Sequence, residues 1–199
     1  MKKIQKVEAF TGLEAAIVLI AFVVVAAVFS YVVLGAGFFT TQKAQQVVYS
    51  GVQQASSNLI IIGETYGDAG GSLNPPRIHA LYFTVGLAAG GSSVDLNKTV
   101  FTYQNRTILK TIDFASTIRC PALPAQPGDW QWCIRSSQND DGDAALERNE
   151  QFTLQVNLSM TQGLPPSEDF TLTIRPDIGA ALPIHKSAPG GLTNMNVLY

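Results

Sequence analysis

The sequence is short of charge, of histidine and of cysteine, and each shortage removes a class of function. Of 199 residues only 13 are Lys or Arg and 15 are Asp or Glu, for a formal net charge of −2. No broad basic surface is available to a polyanion and no stretch interleaves Arg with aromatic rings, so nucleic acid is not expected as a partner. The two histidines, His79 and His185, lie in no nucleophile elbow, zinc motif or paired-acid pattern. The glycine-rich stretch from Gly86 to Gly91 lacks the Lys-Ser/Thr ending of a phosphate-binding loop. The chain is therefore not expected to be an enzyme or to require a cofactor.

Proline is absent from Thr11 to Asn58, and polar side chains almost vanish between Leu13 and Phe39, where only Glu14, Ser30 and Tyr31 interrupt the apolar run. One helix approaching about 70 Å is expected at 1.5 Å per residue. Its first part is apolar all round, and such a helix must sit in lipid or in a protein core. Farther on, Ala44, Val48, Val52, Ala55 and Leu59 recur at helical spacing among Gln and Lys, and this stripe is expected to rest on the chain's own globular head. Small residues such as Ala15, Ala16, Ala26, Ala27, Gly35, Ala36 and Gly37 allow helix backbones to approach closely.

The run is preceded by Lys2, Lys3 and Lys6, which favour a cytoplasmic N-terminus and place everything after Phe39 outside. Three readings compete: a cleaved secretory signal, a permanent anchor, and a leader clipped on the cytoplasmic side of the run. The run is too long for the first. A plain anchor leaves the Glu14 carboxylate at the membrane edge without a cation. Cleavage between Ala9 and Phe10 would create an N-terminal amine, and the amine of a neighbouring copy would supply one.

The stretch Phe10-Thr11-Gly12-Leu13-Glu14-Ala15-Ala16-Ile17-Val18-Leu19-Ile20-Ala21-Phe22, continued by Gly35-Ala36-Gly37-Phe38-Phe39 and specific through about Asn58, resembles the N-terminus of archaeal flagellins, members of the type IV pilin superfamily. The resemblance implies that a prepilin peptidase removes residues 1–9, although the usual residue before the cut is Gly and this chain has Ala9. It implies that residues 10–58 span the membrane before assembly and form the filament core afterwards, with Gly12, Leu13 and Glu14 at the assembly contact. A membrane platform would extrude the homopolymer, and residues 59–199 would form an extracellular immunoglobulin-like domain on the surface of a swimming filament. An adhesion pilus subunit and a non-polymerising, membrane-anchored binding domain remain as alternatives.

After Asn58 the period changes to two. Phe152, Leu154, Val156 and Leu158 alternate with polar residues, as do Phe170, Leu172 and Ile174. Further strands are expected at Ile78–Val85, Thr99–Tyr103, Thr107–Ile112, Trp130–Arg135 and Ala181–Lys186. The overall class is α+β, a long hydrophobic N-terminal α-helix followed by an antiparallel immunoglobulin-like β-sandwich.

Cys120 and Cys133 flank a proline-rich segment at a spacing that a disulfide can close, the alternative being two buried thiols. Asn97, Asn105 and Asn157 each open an N-glycosylation tripeptide within the exported part. Asp140, Asp141, Asp143 and Glu147, with Glu150 beyond, gather carboxylates around Gly142. They suit either a solvated acidic turn or a structural divalent cation such as Ca2+, although the spacing is not that of an EF-hand.

Overall fold

The computed structural model describes residues 4–70, 75–121 and 126–199. Met1–Lys3 of the expected leader and the side chains of Ala9 and Phe10 at the expected cut lie outside the described residues, as do residues 122–125 between the cysteines.

Helix α1 runs from Ile4 to Ser56 without interruption, about 80 Å at helical rise. Gly35 and Gly37 do not break it, and just beyond them the hydroxyls of Thr40 and Thr41 donate back to the carbonyls of Ala36 and Gly37 at 2.8 and 2.9 Å. Those bonds also satisfy two hydroxyls within the helix itself, as an apolar setting requires. The helix ends where Ser57 N–H donates to the Gln53 carbonyl and the Asn58 side chain donates to the Ala55 carbonyl, at 3.0 and 3.1 Å. The Ser57 carbonyl then abuts Gly179, whose φ of +113° and lack of a side chain are both needed there: a Cβ would lie 1.7 Å from the Ser57 oxygen.

Eleven strands follow among the described residues: β1 (Leu59–Asp68), β2 (Ala80–Leu87), β3 (Val94–Asp95), β4 (Val100–Asn105), β5 (Leu109–Arg119), β6 (Gln131–Gln138), β7 (Ala145–Leu146), β8 (Gln151–Asn157), β9 (Asp169–Arg175), β10 (Leu182–Ser187) and β11 (Met195–Val197). Nine of them join in the order β10-β9-β4-β5-β6-β8-β2-β1-β11, and β3 pairs separately with β7. Strand β5 turns the corner between the two layers. Its first half, to Ile112, pairs antiparallel with β4, and from Asp113 onward it pairs with β6.

The core lies between the layers. Phe101 and Tyr103 on β4, with Phe170, Leu172 and Ile174 on β9, meet Phe83, Trp132, Phe152 and Leu154 of the other layer, all at most 1% exposed. The rings of Phe101 and Trp132 lie 4.5 Å apart across the gap. The observed architecture is the expected α+β one, a long helix ahead of a mostly antiparallel sandwich, in which β5 and β6 run parallel. Parallel strands need a crossover connection, and the cysteines close this crossing, with Cys120 bonded to Cys133 at an S–S distance of 2.00 Å.

Candidate assembly surface and surface groups of the sandwich

The helix carries the largest unburied apolar surface among the described residues. From Leu13 to Phe39 its large apolar side chains are between 52% and 79% exposed. The segment Gly12–Ser56 is long and apolar enough to cross a membrane, with a mean hydropathy of 3.0 over its most apolar window. At about 1.5–3 kcal/mol for each large side chain, leaving this run in water costs tens of kcal/mol. Lipid or other apolar helices must cover it.

Glu14 and Leu13 are exposed on this surface, Leu13 at 65%, and nothing lies within 4 Å of a Cβ built on Gly12. No ion pair among the described residues reaches Glu14. Lower on the helix, Val48 and Val52 are 63% and 60% exposed and Ala55 is exposed. The expectation that their stripe rests on the chain's own head is therefore corrected for Val52 and Ala55, which the sandwich leaves open although it contains the last helical turn.

On the sandwich, the three glycosylation tripeptides fare differently. Asn97 is exposed on a single 3₁₀ turn formed by Leu96–Lys98. Asn105 is half-buried, and its side-chain oxygen accepts from the N–H groups of Thr107 and Ile108 at 3.0 and 2.7 Å. Asn157 is 8% exposed and donates to the Pro127 carbonyl at 2.7 Å, so as an acceptor in the folded domain it is corrected: a glycan has no room there.

The acidic loop is closed by the protein's own groups. Asp140 takes the Arg119 guanidinium at 2.6 Å and the Ser137 hydroxyl at 2.7 Å, and Asp143 accepts from Ala145 N–H at 2.7 Å. Glu150, 6% exposed, accepts from the N–H groups of Asp141 and Glu147 with its two oxygens, at 3.3 and 2.8 Å. The expected ligand set of Asp140, Asp141, Asp143 and Glu147 is therefore not assembled. The carboxylates that converge are those of Asp140, Asp141 and Glu150, because the first two sit in the turn and Glu150 is drawn inward by backbone donors.

The Ser137 hydroxyl, the Gly142 N–H and the Arg119 guanidinium hold the Asp140 carboxyl down to about 2. An unfolded aspartate titrates near 3.9, so this group stabilises the fold above that pH and its contribution disappears as pH falls from about 4 to about 2. In an acid-unfolding series, Asp140→Asn is expected to flatten the loss of stability across that window. An unchanged slope would show that the carboxylate is not held by these donors.

His79 lies 4.0 Å from the Asp68 carboxylate, and His185 contacts the Thr171 hydroxyl at 3.0 Å. Among the described residues neither is joined to a nucleophile and an orienting carboxylate together, the arrangement that covalent catalysis uses. A concavity of about 490 Å3 is lined by Ile62, residues 86–91 and residues 148–151, and the carboxylate that lines it, Glu150, is engaged by the N–H groups of Asp141 and Glu147.

Comparison with known proteins agrees with this layout. A family described as archaeal-type flagellin matches residues 9–186. "Probable flagellin 1" of Archaeoglobus fulgidus is 41% identical over 201 aligned positions, covering all of this chain and 98% of that protein. Among solved structures, the archaeal flagellum of Methanospirillum hungatei strain JF1 superposes with a TM-score of 0.69 at 34% identity, over 94% of this chain and 99% of that one. The crystal structure of flagellin FlaB1 from Methanocaldococcus jannaschii shares the fold, with a TM-score of 0.55 at 17% identity, over 70% of this chain and 95% of that one. With an apolar helix that needs covering, a sandwich behind it, and a match across nearly its whole length, the chain belongs to the archaeal-type flagellin family.

Proposed function

We propose that this protein is the structural subunit of an archaeal flagellum filament, polymerising through α1 to serve swimming motility. The observation that carries the reading is the bare apolar surface of α1, 52–79% exposed between Leu13 and Phe39, which lipid or other apolar helices must cover. The protein has two successive environments: α1 sits in the cytoplasmic membrane before assembly and among copies of itself in the extracellular filament afterwards. Its role is structural and calls for no cofactor, and Arg119 and backbone donors engage the carboxylates of the acidic loop.

Within this reading a prepilin peptidase cuts between Ala9 and Phe10, and the membrane platform of the assembly machinery draws the matured helix out of lipid. Removal of the leader matters physically because Lys2, Lys3 and Lys6 would otherwise be carried into an apolar bundle, where unpaired charges are costly. Gly12, Leu13 and Glu14 then lie at the start of the helix contact. The Glu14 carboxylate takes a cation from a neighbouring copy, the new N-terminal amine being the nearest in sequence.

Replacing the small residue at the cut, Ala9→Asp, is expected to leave the leader attached and to abolish filaments while the chain still inserts in the membrane. Intact mass of the membrane and sheared cell-surface fractions checks it. Filaments built from chains that start at Phe10 in this variant would move the cut elsewhere. For the function itself the test is deletion of the encoding gene followed by a swimming assay and microscopy of the cell surface: loss of filaments and of swimming is expected, and loss of attachment with swimming intact would assign the filament to adhesion.

A further inference from the structure

The third glycosylation tripeptide, Asn157-Leu158-Ser159, is intact in sequence yet closed in the fold, and the closing element is the disulfide-bounded crossing between β5 and β6. Side chains at positions 153, 155 and 157 of β8 point away from the core, because Phe152, Leu154 and Val156 fill the inner face. Outward residues on an antiparallel sheet are ordinarily wet. Here Gln155 and Asn157 are 0% and 8% exposed.

What covers them is Gln126 and Pro127. Asn157 donates to the Pro127 carbonyl at 2.7 Å, and Gln155 donates both to Asn157 at 2.7 Å and to the Gln126 side chain. Arg135 adds bonds to Pro121 at 3.2 Å and to Gln126 at 3.3 Å. The disulfide between Cys120 and Cys133, 13 positions apart, fixes both ends of this crossing and so limits how far Gln126 and Pro127 can leave the sheet.

We propose that Asn157 is a latent glycosylation site, and that closure of the Cys120–Cys133 bond is what withholds it. N-glycosylation needs the side-chain amide nitrogen free. That nitrogen displaces a lipid-linked phosphate from C1 of a sugar, forming the N–C bond while the C–O bond breaks, with the amide proton passing to a base on the transferase. In the folded, oxidised domain the Asn157 nitrogen is engaged with Pro127 and its approach is covered, whereas Asn97 is exposed on its turn. Occupancy at Asn157 thus reports the order of events outside the cell: zero when the disulfide closes before the transferase acts, and finite when closure is late or prevented. The inference rests on the reading of this chain as an exported filament subunit.

The test is Cys120→Ser with Cys133→Ser, produced in the full chain in a host with N-glycosylation machinery and purified from sheared filaments, so that only folded, assembled copies are weighed. Wild-type subunits are expected to carry glycan at Asn97 and none at Asn157. The double variant is expected to gain one further glycan mass, which disappears when Asn157→Gln is added. A second variant, Arg135→Ala, keeps the disulfide and removes two of the bonds to the crossing; it is expected to stay unmodified at Asn157. Glycan on Asn157 in wild type, or none there in the double variant while Asn97 is modified, overturns the proposal. Unmodified chains throughout also overturn it, while filaments in that same preparation leave the structural role standing.

Discussion

Truncation of Trp132 to Ala is expected to destabilise the exported domain more than any surface substitution, by about 3–5 kcal/mol. Trp132 is 1% exposed and is gripped between rings from two strands, Phe101 at 4.5 Å and Phe114 at 5.4 Å. It stands on β6, where the chain has just re-entered the sheet from the disulfide-closed crossing, and it bridges to β4 of the opposite layer. Removing a buried Trp side chain typically costs about 3–5 kcal/mol, because the cavity collapses only in part. Single domains are stable by about 5–15 kcal/mol, so from about a fifth of the total upward is at stake. Trp132→Phe keeps an aromatic face against Phe101 and is expected to lose clearly less. Denaturant unfolding of both variants checks the order; a loss below about 1 kcal/mol for Trp132→Ala would mean that the two layers are not keyed together at this side chain.

A chain beginning at Gly51 is expected to be a soluble monomer that neither forms filaments nor joins those of the full-length protein. The division is physical. Gly51–Tyr199 is a compact unit with its own core, whereas the long apolar run belongs wholly to the preceding residues. Apolar groups exposed on the sandwich, such as Leu109 at 70% and Met160 at 50%, are scattered singly, as on any soluble protein. Size-exclusion chromatography with light scattering checks the state of the truncated chain. Stable polymers from residues 51–199 alone would place the assembly energy in the sandwich rather than in α1.

The features legible in the sequence were those set by local pattern. The apolar run without proline made α1 visible, and the strict alternation of Phe152, Leu154, Val156 and of Phe170, Leu172, Ile174 announced β8 and β9. Strand β1 was hidden because Leu59-Ile60-Ile61-Ile62 is a continuous apolar run with no alternation and because a bulge between Ile62 and Tyr66 interrupts its register. Strand β11 is three residues long, too short for any period to register. The parallel pairing of β5 with β6 was not legible either, since alternation tells which face a side chain takes and not which strand lies beside it.

The same limit separates the surface groups. Asn97 and Asn157 carry equivalent tripeptides, and only the non-local cover of Gln126 and Pro127 distinguishes them. Glu147 and Glu150 are alike in spacing from the acidic run, yet Glu150 alone is buried, because two backbone N–H groups point at it. The cysteine pair was the exception among distant contacts: the chain holds two cysteines, so an internal disulfide could only join Cys120 to Cys133. Glu14 was conspicuous as the single carboxylate in a long apolar run, a signal that needs no fold to be read.

Electron cryomicroscopy of filaments sheared from the cell surface tests most directly whether α1 is covered by identical helices. The account predicts that every subunit begins at Phe10, with α1 packed among the α1 helices of its neighbours at the centre and the sandwich facing solvent. Solitary particles that keep their first nine residues, or filaments with α1 on the outside, would contradict it.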